Sequence, residues 1–498
     1  MTEGGDRRIY LDYAAAPPLD PAVRRAMLPY LGAAFGNPSS LHSFGQEAQA
    51  TVDRARETVA RLLGVSFRDV VFTGSATEAN NLALRGVVAQ RRAEYSLQHW
   101  ASPRRSRGAL ALAPSGSEMC CQEYSARLAP PKVVVSAVEH ESVLETARDM
   151  ERTGEVELVV VPVDREGVVD LAALERALDE RTILVSVQYV NNETGVVQPI
   201  PEISNIIRNF RNSKHEILNS KCRFYRASST KSGQIQNPKF ETQSSTSDFA
   251  AMYPLLHVDA VQAFNYLDCA LPDLGADLVT LSAHKCYGPK GVGILCINKQ
   301  TTNNKQRNHN GYTLAPIITG GGQEFGIRSG TENVASIVGC AAALALSVER
   351  REKDAARIGR LAALFFNELK RKIPGVEING VPSGQCLGSS TSATRKSNFR
   401  TQRAPHILNL ALPKESKACT LELVVALDQQ GVAVSTGSAC ASRATAPSHV
   451  LRAMGMPDER IRRSFRVSFG RMTTRGEVVE AVRRTASIVG GSTSEARG

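Results

Sequence analysis

From residue 44 the apolar side chains Phe44, Ala48, Val52, Ala55, Val59 and Leu62 recur at three- and four-residue intervals, the period of a single helix face. Ser43 and Gln46 match a capping-box start, and Gly64 provides a stop, so the spacing predicts a helix between them. The pattern then changes to short apolar, β-rich runs: Val70 to Thr73, Val133 to Ala137, Leu158 to Pro162, Ile183 to Gln188, His257 to Asp259, Leu278 to Ser282 and Val292 to Ile297. Helical patterns such as Leu171 to Leu178 separate them. Strands alternating with helices predict an α/β domain whose mixed, mainly parallel sheet is covered on both faces. In such sheets ligands bind beyond the carboxyl ends of the strands, so the residues just past each strand are where chemistry is expected. From about Ala335 a long helical pattern begins, followed by a strand at Ile407 to Ala411, a helix at Thr420 to Gln429 and a last helix from Glu477. The expected division is a large domain over 15–335 and a smaller α+β domain made of 1–14 and 336–498.

Four stretches break this regularity, at about 89–130, 209–255, 299–313 and 383–404, and read as surface insertions rich in Ser, Asn, Gln, Arg and Lys. They change the meaning of the net charge. The chain carries +11 overall, but the four insertions together carry +14 and the remainder is near −3. A basic low-complexity loop is most often simply solvated, so a nucleic-acid partner is not expected. No run of about 18 apolar residues could span a bilayer, and the first 20 residues lack the features of a signal or transit peptide, which makes the cytoplasm the expected location. The ten cysteines include no C-x-x-C pair, so no metal site is signalled and reduced thiols are expected.

Ser282-Ala283-His284-Lys285 lies directly after a predicted strand and runs into a Gly/Pro-rich turn. Desolvation among small residues at a strand end lowers a lysine's pKa until its neutral amine can form a Schiff base with an aldehyde, which makes Lys285 the candidate nucleophile. His257-Val258-Asp259 ends another strand in a carboxylate, the group a pyridoxal ring needs against its pyridinium nitrogen. Thr73-Gly74-Ser75-Ala76-Thr77 stands between a strand and a helix, where backbone N–H groups and hydroxyls can cradle a phosphate. Each piece alone is more often a turn lysine, a helix cap or a capped helix start. Together they point to one cofactor site.

The combination resembles the cysteine desulfurases, a class V family within the fold type I pyridoxal-phosphate enzymes. The resemblance runs from Tyr10-Leu11-Asp12-Tyr13 through Gly36-Asn37-Pro38, Val138-Glu139-His140, Asn191-Asn192-Glu193-Thr194-Gly195 and Gly320-Gly321-Gly322 to Ser435-Thr436-Gly437-Ser438-Ala439-Cys440 and Arg466-Val467-Ser468-Phe469-Gly470. It implies pyridoxal 5'-phosphate held covalently by Lys285, with Asp259 on the ring nitrogen and Gln262 and Asn192 beside the ring hydroxyl and substrate. His140 would stack on the ring and exchange protons. Ser282, His284, Thr77 and Ala76 would hold the phosphate, with Thr331 reaching it from a second subunit of a homodimer.

The resemblance further implies that Arg466 grips the carboxylate of L-cysteine and that Cys440 receives its sulfur as a persulfide, leaving L-alanine. The Ser/Thr/Gly/Ala-rich run from Ser435 to Ala446 is similar to the longer cysteine loop of the subgroup that supplies sulfur to iron–sulfur scaffolds and tRNA-thiolation proteins. Two readings stay open beside it. A selenocysteine lyase, or another class V lyase or transaminase, would use the same Lys285 and Asp259 without Cys440, and a catalytically inactive scaffold would bind sulfur-transfer partners through the basic insertions. The chain also departs from many relatives at Gln323 and Phe325, where His and Arg are common.

Overall fold

A computed structural model of the chain describes residues 8–100, 130–229, 253–298, 314–382, 402–416, 419–436 and 447–494. Its centre is a seven-stranded sheet made of β1 (Val70–Thr73), β2 (Lys132–Ser136), β3 (Glu157–Val161), β4 (Thr182–Gln188), β5 (Leu255–Asp259), β6 (Leu278–Ser282) and β7 (Gly293–Ile297). The spatial order is β1-β7-β6-β5-β4-β2-β3. Pairings from β6 through β5, β4 and β2 to β3 are parallel, and β7 runs antiparallel to both neighbours. All of these strands except the edge strand β3 are buried along their whole length, and burial on both faces is why Val, Ile and Leu dominate them.

Alternate residues of each strand feed two separate cores. Val134, Val185, Val258 and Ile294 join one with α1 (Ser43–Leu63), while Val133, Val135, Leu184 and Leu295 join the other with α2 (Ala76–Trp100) and α3 (Glu141–Arg152). In α1 the predicted positions Ala48, Val52, Ala55 and Val59 are buried, Leu62 is half-buried and Phe44 is exposed, and Gly64 closes the helix in the left-handed region at φ 66°. The start differs from expectation. His42, not Ser43, is the cap, with its Nδ1 accepting from Gly45 N at 3.3 Å while Gln46 Nε2 donates to Leu41 O at 2.9 Å.

Two expected insertions are partly regular structure, since α2 continues to Trp100 and α4 (Ile200–Ser229) runs well past residue 209. At 402–403 the chain pairs with Val196–Val197, and Arg403 is buried, its Nη1 donating to Ile407 O. The stretch 299–313 and the rest of the other insertions lie outside the described residues.

A third core gathers Ile9 and Leu11 with the C-terminal elements: β8 (Glu377–Ile378), β9 (Ile407–Ala411), α6 (Thr420–Gln429), β10 (Ser464–Ser468) and α7 (Arg475–Ser494). This grouping supports our proposal that 1–14 and the C-terminal third form one unit. The 39-residue helix α5 (Val334–Lys372) serves both sides, placing Val334 to Leu344 in the large core and Ala355 to Leu369 in the small one. We therefore propose that the boundary falls inside α5 and not before it. Among the described residues no helix is long and apolar enough to cross a membrane.

Candidate active site

The carboxyl ends of β4, β5 and β6 and the start of α2 open onto one cleft of about 850 Å³, its mouth included. Nine of the residues singled out in the sequence line it: Ala76, Thr77, His140, Asn192, Asp259, Gln262, His284, Lys285 and Arg466. Ser282 stands behind the wall, its Oγ 2.6 Å from His284 Nδ1. Thr331 is exposed and outside this cleft. Cys440 lies outside the described residues, which stop at Thr436 and resume at Pro447.

Asp259, the last residue of β5, is buried. Its Oδ1 accepts from Val261 N at 3.1 Å and its Oδ2 from Asn80 Nδ2 at 2.9 Å. Asn80, one turn into α2, also reaches Ser142 Oγ at 2.8 Å, and Ser142 in turn contacts His140 Nδ1 at 2.8 Å. The Ser142 backbone donates to the same His140 nitrogen at 3.1 Å, so a neutral ring carries its hydrogen on Nε2. His140 is thus both the cap of α3 and a cleft-lining ring held by its own helix.

Lys285 follows β6 in a short 3-10 turn, and its Nζ donates to Ala14 O at 2.7 Å and to Ala15 O. The turn ends on Tyr287 in the left-handed region at φ 60°, an uncommon conformation that sharpens the exit from the site. Gln262 is fixed from two sides. Its Nε2 donates to Ala14 O at 2.9 Å and its Oε1 accepts from His406 Nε2 at 3.2 Å. Burial pushes His406 down to about 3, so its ring stays neutral, stacked on Tyr266 at 4.4 Å. Burial also pushes His284 down to about 4, with Lys285 and Lys290 adding to the effect.

These residues fit pyridoxal phosphate. A buried carboxylate, a lysine and a helix start share one cleft, and the helix start, where a phosphate would fit, is shaped by a close approach that only glycine permits. A Cβ on Gly293 would sit 2.3 Å from Ser75 C and 2.6 Å from Ala76 N, so the absence of a side chain lets β7 press against the turn that opens α2.

Several lining residues were not apparent as functional in the sequence. Besides Asn80, they include Gln188, whose Nε2 contacts Asn192 Oδ1 at 3.2 Å, and His449, whose Nε2 donates to Glu139 O at 3.0 Å. Glu139 is buried behind the cleft and pushed up to about 8 by desolvation, with Ser136 and Gln188 hydrogen-bonded to one oxygen. The departures at Gln323 and Phe325 have local structural roles. Gln323 Oε1 accepts from Gly330 N at 2.9 Å, and Phe325 lies under Arg56, which forms a buried two-pronged pair with Glu324.

The aminotransferase class-V family model matches residues 9–97, 118–214 and 245–481. The cysteine desulfurase IscS of Dictyoglomus turgidum is 33% identical over 95% of this chain and 92% of its own length. This chain belongs to the cysteine desulfurases of the class-V aminotransferase family. Among solved structures, a NifS-like protein superposes with a TM-score of 0.69 at 27% identity, covering 97% of this chain and all of its own. Another, described as SspA in complex with cysteine, gives a TM-score of 0.63 at 25% identity over 94% of this chain and all of its own. The family model passes over 98–117 and 215–244, inside two of the stretches read as insertions.

Proposed function

We propose that this cleft converts L-cysteine to L-alanine and passes the sulfur to Cys440 as a persulfide. The observation that carries the reading is the convergence of Lys285, Asp259 and Arg466 on one cleft beyond the strand ends, in a member of the cysteine desulfurase family. When bound, pyridoxal phosphate supplies an electron sink for the electron pair left at the substrate Cα. Asp259, positioned by hydrogen bonds from Asn80 Nδ2 and Val261 N, would pair with the ring nitrogen and keep a proton there. Ala76, Thr77, Ser282 and His284 hold the phosphate, and Gln262 and Asn192 flank the ring. Arg466 binds the substrate carboxylate, and its planar guanidinium fixes orientation as well as charge.

Lys285 Nζ takes the Cα proton and later returns a proton as the product leaves. His140 Nε2 exchanges the proton of the substrate thiol. Cys440 Sγ attacks the substrate sulfur as a thiolate, so a sulfur–sulfur bond forms while the substrate Cβ–S bond breaks and its electron pair is protonated to give alanine. The acceptor of the persulfide sulfur is proposed to be a protein, such as an iron–sulfur scaffold or a tRNA-thiolation protein. A cytoplasmic, reducing location is supported by the free thiols of Cys269, Cys286, Cys296, Cys340 and Cys419.

A homodimer is part of this proposal. Its support is an exposed apolar surface near the amino end, where Phe35 and Phe44 stack at 5.6 Å and Leu41 is 92% exposed. Thr331, solvent-exposed here, would then reach the phosphate of the second copy. Purified holoenzyme given L-cysteine and a thiol reductant is expected to release alanine and sulfide in equal amounts. Cys440→Ala is expected to lose nearly all sulfide release; full-rate release by that variant would remove Cys440 from the reaction and favour a lyase that needs no cysteine relay.

A further inference from the structure

Arg466 sits in the middle of β10, paired with Asn409 in β9 and bridged to Ser435 on the other side, and it is 1% exposed. Its Nη1 donates to Asn192 O at 2.8 Å and its Nη2 to Asp12 Oδ1 at 2.8 Å, while its Nε is buried without a hydrogen-bond partner. Asp12 is brought there by the backbone. Its residue bridges Ser468, two positions beyond Arg466, and Ser468 N donates to Leu11 O at 2.8 Å.

The guanidinium is therefore neutralised by a carboxylate of the chain itself. A substrate carboxylate entering the cleft adds a second negative charge against the same cation, in a partly desolvated site where like charges repel more strongly than in water. Removing Asp12's charge would leave a buried guanidinium uncompensated until a ligand supplied the missing charge. Both effects push ligand affinity the same way.

We infer that Asp12 is the resident counter-ion of Arg466 and competes with the incoming amino-acid carboxylate, so that it sets substrate affinity as a positioning residue. This rests on the reading of Arg466 as the carboxylate clamp. Asp12→Asn keeps an oxygen to accept from Nη2 and removes only the charge.

The test is titration of holoenzyme with L-alanine and with L-alaninamide, which lacks the carboxylate, followed by the change in cofactor absorption. In D12N the Kd for L-alanine is expected to fall about three- to tenfold, and that for L-alaninamide to stay within about twofold. An unchanged or weakened preference for L-alanine over L-alaninamide in D12N overturns the assignment. Arg466→Ala separates the two levels: loss of that preference in R466A with no change in D12N rejects Asp12 alone, and no loss in R466A rejects the clamp itself. If D12N does not give folded holoenzyme, D12S removes the same charge and serves the same comparison.

Discussion

Asn80 Nδ2 lies 2.9 Å from Asp259 Oδ2, a contact between the first turns of α2 and the end of β5 that joins the proposed phosphate cradle to the carboxylate proposed to pair with the ring nitrogen. Both residues are buried, so the donor is not replaced by water when it is removed. Asn80→Ala is expected to weaken binding of pyridoxal phosphate to the apoenzyme by about 5- to 30-fold, the equivalent of roughly 1–2 kcal/mol for one lost buried hydrogen bond to a charged group. Titration of apoenzyme followed by cofactor absorption measures it.

Arg466 offers a planar two-point grip that lysine cannot copy. Arg466→Lys is expected to lower kcat/KM for L-cysteine by about 10- to 100-fold, mostly through KM, because a point charge replaces a two-point contact. Steady-state alanine production over a range of cysteine concentrations separates the two parameters.

Gly293 presses on the start of α2 where no Cβ fits. Gly293→Ala must push Ser75 and Ala76 aside, and overpacking of this kind costs about 1–3 kcal/mol. We expect a lower melting temperature together with weaker cofactor binding, whereas Gly291→Ala tests a different constraint. Gly291 is in open space but at φ 79°, so its penalty is conformational and should leave cofactor affinity nearly unchanged.

Two buried histidines and the half-buried His284 are expected to make the protein sensitive to acid. His257 and His406 are each pushed down to about 3, and His284 to about 4, all primarily by burial. Each stays neutral in the folded chain after its unfolded counterpart has begun to protonate near pH 6.5, so the unfolded state binds more protons and stability falls as pH falls below that value. The loss continues until the folded pKa is reached, at up to about 1.4 kcal/mol per pH unit for each ring. Denaturant midpoints at pH 7 and pH 5 are expected to show this drop, and His257→Gln, placed between Ser186 and Thr280, to reduce it.

The sheet and its flanking helices were legible because fully buried strands and amphipathic helices impose periods that side-chain polarity records. β1 and β6 match their predicted spans, whereas the antiparallel direction of β7 was not legible, since a strand buried on both faces looks alike read either way. Lys285 and Asp259 stand out at strand ends, Arg466 only through the family resemblance, and the folded chain brings the three to one cleft. Asn80, Gln188 and His449 could not be found so. Each is a single polar residue inside a helix or strand pattern, and only the tertiary contacts Asn80–Asp259, Gln188–Asn192 and His449–Glu139 give it a role. The His42 cap was hidden by a better-known pattern one residue later, because a ring nitrogen can replace the usual hydroxyl.

The proposed chemistry requires Lys285 to be the residue that binds the cofactor aldehyde. Reduction of holoenzyme with borohydride, followed by peptide mass spectrometry, tests this directly. The expected result is one cofactor adduct on the peptide containing Lys285, absent in Lys285→Ala; an adduct on Lys290 or on any lysine outside the cleft, with Lys285 unmodified, would contradict it.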